Sequence, residues 1–232
     1  MLEFFQNPKV AEQVTYLLNN LPFALWESIY STALATLFAY LIGLPLGVIL
    51  VVGEQGGIRP LPAWLMRGLN VVVNLLRSVP FLILMVMVFP LSRLIVGTSI
   101  GTVATIVPLT VAAAPFVARL VEGSLRESDQ GIIEAAQAMG CTTFQIVWKV
   151  LLPEALPSLI AGFTNASVTI LSYGAMAGAI GGGGLGAAAL NRGWTRHQTV
   201  VLYATVIVLV LLVQIFQTLG SRAVRRVDKR LR

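Results

Sequence analysis

A chain of 232 residues, 56% hydrophobic and only 11% charged, departs from soluble domains, where roughly a quarter of residues carry charge; with a mean hydropathy of +0.83 it reads as a polytopic membrane protein. The formal net charge of +6 does not point to nucleic acid, because Arg222, Arg225, Arg226, Lys229, Arg230 and Arg232 crowd the end of the chain behind an apolar segment. That is the pattern of a topology determinant beside anionic headgroups. One cysteine, Cys141, and one histidine, His197, leave no material for an intrachain disulfide or a histidine-rich metal site, so metal or thiol chemistry is not expected.

No positively charged region precedes the first apolar run, which is too long for a signal peptide, so the N-terminus is expected to stay on the protein. Residues 1–21 carry Glu3, Lys9 and Glu12 among apolar residues and read as a short interfacial helix; the role of residues 1–20 stays open. A span needs roughly 20 apolar residues. Spans are then expected at about 24–53, 63–92, 100–119, 155–182 and 198–220, in one domain of residues 1–232, with a polar loop at about 120–153 and a basic tail at 221–232. Gly43, Pro45 and Gly47 are expected to loosen the first span, a looseness neighbouring helices tolerate in lipid. Arg67 marks a water boundary, and Arg77 is read as snorkelling to headgroups in preference to a pathway role. Pro80 predicts a kink in the second span. Gly97–Gly101 forms a short turn, and no acidic residue is expected inside the spans. Residues 155–191 hold no Asp, Glu, Lys or Arg, more than one span needs, so a loop or re-entrant turn is expected from Gly178 onward.

Lys and Arg collect in the tail, in the loop around Arg119–Lys149 and in the turn holding Arg59 and Arg67. By the positive-inside rule those parts are cytoplasmic and, with an odd number of spans, the N-terminus is outside.

The polar loop is the part that faces water. Ile132, Ile133, Ala136 and Met139 recur at helical spacing. Glu134 is read in the first helical turn, where it favours the dipole. Ala135 and Ala136 keep the surface shallow, Gly140 permits a turn, and Leu152-Pro153 closes the stretch. Docking into a groove on another protein is preferred to the blander reading, an amphipathic helix lying on the membrane. No G-x-x-x-x-G-K-[ST] occurs, so phosphates cannot be cradled in that way and an energy source belongs on another chain. Gly181–Gly186 formally satisfies G-x-G-x-x-G but lacks a βαβ context, which excludes a dinucleotide site. Gly174, Gly178, Gly182 and Gly186 recur every four residues and would form one smooth ridge on a continuous helix. Met176 lies off that ridge and is the candidate gate, with Ser172 and Tyr173 as further pathway residues.

The spacing Glu134-Ala135-Ala136, Gly140, Val150 and Leu152-Pro153 closely resembles the cytoplasmic EAA loop of ABC-importer permeases, with Val150 where the usual form has isoleucine. Arg77-Ser78-Val79-Pro80-Phe81, then IVGTSIG, IVPLTVAAAPFVARLVE, VLLPEALPSL and GAIGGGGLG, resemble the methionine-importer branch, from about Leu41 to the tail. The resemblance implies an all-α type I ABC importer permease with five transmembrane helices per subunit, in the bacterial inner membrane. It further implies a second copy of the chain, two cytoplasmic ABC ATPase subunits at the EAA loop, and an extracytoplasmic methionine-binding protein. ATP and Mg would sit on the ATPase, leaving this chain with no cofactor, no metal and no catalysis of its own. The implied cargo is L-methionine, with D-methionine or close derivatives as a wider range. The alternatives are an importer of another small amino acid and an ion-coupled carrier, which would want a mid-membrane acid and inverted repeats.

Overall fold

The computed structural model describes residues 8–228, so the expectations for residues 1–7 and for Lys229, Arg230 and Arg232 lie outside the described residues. The elements are α1 (Pro8–Val52), α2 (Ala63–Ser78), α3 (Phe81–Val96), α4 (Thr102–Arg126), α5 (Gln130–Ala138) and α6 (Thr143–Ile146). From α6 the chain passes through a π-helical turn, Val147–Leu151, into a single turn, Leu152–Glu154. Then come α7 (Leu156–Ala177), a 3-10 turn (Gly178–Ile180), α8 (Gly184–Ala187) running on as a π-helical stretch (Ala188–Trp194), and α9 (Thr199–Val227). Among the described residues no strand occurs.

Among the described residues, four helical stretches have the length and apolarity to cross a membrane: Lys9–Val52, Thr102–Arg126, Leu156–Ile180 and Thr199–Val227. Ala63–Ser78 with Phe81–Val96 adds a fifth if the two halves make one bent span. At the break, Val79 is extended (φ −78°, ψ 126°), as a residue before proline prefers; the expected kink is a full interruption.

Two differences from expectation have simple causes. The short helix expected over residues 1–21 is, from Pro8 on, the beginning of a single 45-residue helix. Polar side chains there bond back into their own helix, Thr15 Oγ1 to Ala11 O at 2.9 Å and Asn20 Nδ2 to Tyr16 O at 2.9 Å, so they do not compete with it. Likewise α4 runs on past the expected span end at about residue 119 and continues to Arg126, because Arg119, Glu122 and Arg126 pair at i+3 and i+4 spacing.

The chain divides into two compact units, each built from pieces of several helices. One contains the segment ending at Thr36, Phe81–Val111 and Ser167–Phe216. Its core is Ala24, Leu171, Leu185 and Leu212, with Leu25 and Val208 packed against them. The other contains Leu37–Pro80, Ala112–Ala166 and the segment from Gln217 onward. There α1 lies directly on α4. A Cβ on Gly43 would stand 2.8 Å from the Ala114 carbonyl oxygen, and one on Gly47 would stand 2.7 Å from that of Ala118. These glycines therefore do not loosen the helix; they form a small-xxx-small seam on which two backbones meet. Tyr40 and Phe163 add a tilted ring contact at 5.1 Å in the same unit.

Candidate functional site

The loop read as a docking element is two short helices joined by a stop and a restart. Asp129 caps α5, its side chain accepting from the Gly131 N–H at 2.7 Å. Glu134 is therefore in the middle of α5 and not in its first turn, where no acidic residue sits; the dipole argument for it falls, because the effect fades within the first turn. The stop is at Gly140, left-handed at φ 78°. Its N–H donates to Gln137 O at 2.9 Å and that of Cys141 to Ala136 O at 3.1 Å, the paired bonds of a Schellman end. Two residues later Thr142 restarts the helix with a capping box, its N–H donating to Gln145 Oε1 at 2.8 Å while its hydroxyl accepts from the Gln145 N–H. The signal for that restart, Thr-x-x-Gln before an apolar run, stands in the sequence at Thr142 and Gln145.

The surface this arrangement presents is apolar where a water-facing loop should not be. Ala136 and Leu151 are buried, while Met139, Phe144 and Trp148 are 77%, 73% and 63% exposed. Phe144 and Trp148 lie parallel, ring centres 6.3 Å apart. Glu134, Ala135 and Pro153 are exposed and Leu152 is half-buried. Beside α5, a recess of about 330 Å³ is lined by Glu54, Arg126, Glu134 and Gln137 among others. Behind the recess, charges tie the C-terminal part of α4 to its own turns, to Glu54 and to α2. Arg126 Nη2 meets Glu54 at 2.8 Å and Glu122 at 2.9 Å; Arg119 Nη1 meets Glu122 at 2.6 Å. Arg119 Nη2 also donates to Asn70 Oδ1 at 2.7 Å and Asn74 Oδ1 at 2.9 Å on α2.

The residues expected from the sequence to line a pathway gather near the end of α7. Met176 is 47% exposed in the last turn. Ser172 is exposed, and its hydroxyl donates to Val168 O at 3.0 Å within the helix. Tyr173 stacks on Phe81, ring centres 4.5 Å apart and planes 4° from parallel, which is ring packing. The four-glycine ridge does not form. α7 ends at Ala177, Gly178 opens the 3-10 turn and Gly186 sits in α8, so the glycines lie on two arms that face each other. Nor is the first span free of acid: Glu27 lies half-buried inside the apolar stretch Lys9–Val52. The expectation that no acidic residue lies inside the spans is corrected at this position, which falls within the expected span of about 24–53.

Comparison with known proteins agrees with this geometry. The family model described as the binding-protein-dependent transport system inner membrane component matches residues 43–232. The chain is 51% identical to a probable D-methionine transport system permease protein of Vibrio cholerae over 89% of this chain and 92% of that protein. It is 46% identical to a protein of the same description from Pasteurella multocida, over 88% and 94%. Among solved structures it matches an inward-facing conformation of the MetNI methionine ABC transporter with a TM-score of 0.90 at 46% identity, over 92% of this chain and 98% of that one. With its long apolar helices and the match across most of its length, the chain belongs to the binding-protein-dependent transport system inner membrane component family.

Proposed function

We propose that this chain is the membrane-spanning permease subunit of an ATP-driven importer that carries methionine into the cytoplasm, taking the L form and also D-methionine or close derivatives. The cargo reading rests on relatives described as D-methionine transport permeases and on the methionine transporter of similar structure. The observation that carries the mechanism is the exposure of Met139 and of the stacked pair Phe144 and Trp148 on a segment too polar to lie in lipid. A water-facing surface of that kind fits a protein partner.

In this reading two copies of the chain enclose the pathway, since a two-fold interface uses one surface twice. Two ATPase subunits holding ATP and Mg dock on Gln130–Glu154, with Glu134, Ala135, Ala136, Gly140, Leu152 and Pro153 forming or shaping the contact. A methionine-binding protein delivers cargo from outside, and Met176, with Ser172 and Tyr173, lines the gate. On this reading the chain has five spans with the N-terminus outside and the basic tail in the cytoplasm, and the Lys and Arg asymmetry supports it. Co-purification from native membranes with mass identification of the bound chains tests the assembly. An ABC ATPase and a methionine-binding protein are expected. Recovery of an ATPase with a binding protein loaded with a different amino acid would move the cargo and keep the architecture.

A further inference from the structure

Glu27 is the only charged residue between Glu12 and Glu54, and both its carboxylate oxygens are engaged. Oε1 accepts from Thr102 Oγ1 at 2.6 Å and Oε2 from the Gly184 N–H at 2.9 Å. The neighbouring Ser28 Oγ accepts from the Leu185 N–H at 2.9 Å. These are the first N–H groups of α8, which have no partner in their own helix. From the other side, the Gly101 N–H donates to Gly181 O at 2.8 Å. The turn Gly181–Gly184 is thus held by two side chains of α1 and by the start of α4.

The fit leaves no room for alternatives. A Cβ on Gly183 would stand 2.9 and 3.0 Å from the two Glu27 oxygens and run into Thr102 Oγ1; one on Gly184, itself at φ 78°, would lie 2.5 Å from Ser28 Oγ. A carboxylate in an apolar helix is costly, and a leucine would suit the surrounding composition. What the carboxylate supplies is two acceptors, placed on donors that would otherwise be buried without partners. The turn it holds begins four residues after Ala177, where α7 and its Met176 end.

We propose that Glu27, with Ser28 and Thr102, is a positioning clasp for the glycine turn Gly181–Gly184, and that through this turn it sets where Met176 stands during transport. The link to Met176 rests on the gate reading given above; the clasp itself does not. It acts by hydrogen bonding and not by charge. Glu27→Gln can keep both contacts, its carbonyl accepting from Gly184 and its amide donating to the Thr102 hydroxyl. Glu27→Leu loses both.

The test uses the assembled transporter in nanodiscs, where both faces are open to reagent. Ala179→Cys, at the exposed position of the 3-10 turn, is placed in a Cys141→Ser background and labelled with a hydrophilic maleimide. Because each hydrogen bond contributes enough for roughly a threefold change and Glu27→Leu loses two of them, this variant is expected to label about ten times faster, with uptake turnover lowered about as much and the half-saturating binding-protein concentration unchanged. Glu27→Gln is expected to stay within about threefold of the parent on both readouts. Should Glu27→Leu fail to assemble, Thr102→Val, which removes one bond, carries the test with labelling about threefold faster. Unchanged labelling in assembled Glu27→Leu, or in Thr102→Val where it stands in, overturns the clasp. So does a Glu27→Gln variant as impaired as Glu27→Leu. The labelling contrast decides the clasp whatever the cargo proves to be; normal uptake beside altered labelling would break only its link to the gate.

Discussion

Gly178 and Ala187 approach so closely that a side chain on the first has no place to go. A Cβ there would run into the Ala187 backbone nitrogen and stand 2.5 Å from the carbonyl carbon of Gly186. Gly186 repays the contact, since its own Cβ would collide with the Ala175 carbonyl oxygen. Asn191 Nδ2 donates to Gly178 O at 3.3 Å across the same junction. The two arms of the glycine turn meet backbone to backbone, a contact only glycine allows.

Substitution should therefore separate three of the regularly spaced glycines, Gly174, Gly178 and Gly186, into two classes. Gly178→Ala and Gly186→Ala are each expected to cost at least about 1–3 kcal/mol through overpacking. Gly174→Ala, whose Cβ would meet only Leu109 Cδ1 at 3.9 Å, is expected to be neutral or to gain up to about 1 kcal/mol from helix propensity. Thermal unfolding of the detergent-solubilised protein measures the contrast. Equal losses at residues 174 and 178 would count against the two-armed arrangement.

Gly140 answers to backbone conformation and not to space. A Cβ there would meet nothing within 4 Å, yet φ is 78°. An L-residue in that conformation costs about 1–2 kcal/mol. Gly140→Ala should weaken the turn by that amount, and Gly140→Asn by less, because asparagine tolerates the left-handed region. Recovery of the partner ATPase with each variant, read beside thermal stability, gives the order Gly, Asn, Ala, Val.

The charge network predicts unequal costs for similar changes. Arg119 and Glu122 have side chains only 19% and 11% exposed, so Arg119→Met removes one of the two guanidinium partners of a buried carboxylate, leaving it only Arg126, and takes the Arg119 donor from Asn70 Oδ1, at about 1–3 kcal/mol. Glu54 and Arg126 are both 48% exposed, and Glu54→Gln should cost about 0–1 kcal/mol. Denaturation midpoints of the two variants test this, and a larger loss for Glu54→Gln would reverse the assignment.

How much of this was legible in the sequence depends on how local the cause is. Break points set by single residues were readable: Pro80 ends α2, and Gly178 marks the end of α7. The start of α5 was misread because its cap, Asp129, lies five residues before the conspicuous Glu134. The glycine ridge failed because spacing alone does not say whether a helix persists; Gly181 at φ 97° had already turned the chain. Glu27 was missed for a different reason. Its partners, Thr102 and Gly184, are 75 and 157 residues away, so no local pattern distinguishes it from a polar residue at the mouth of a span. Gly43 and Gly47 likewise pack on α4 residues far along the chain.

Phe144 and Trp148 are exposed enough that removing them should leave stability nearly unchanged, within about 0.5 kcal/mol. If they dock a partner, Phe144→Ala and Trp148→Ala should each lose ATPase during purification, as central aromatic contacts cost more than about 1 kcal/mol when truncated. Glu134→Lys, also exposed, should assemble yet transport poorly by reversing the charge of the docking face. Full uptake by an assembled Glu134→Lys transporter would remove this residue from coupling.

The most direct measurement is ATP-dependent uptake of labelled L- and D-methionine into proteoliposomes that hold this chain with its co-purified ATPase and binding protein. The account predicts accumulation that requires ATP and collapses in Trp148→Ala while the membrane subunit remains folded. Accumulation without the ATPase, or an assembled and ATP-hydrolysing complex that moves neither methionine isomer, would contradict it.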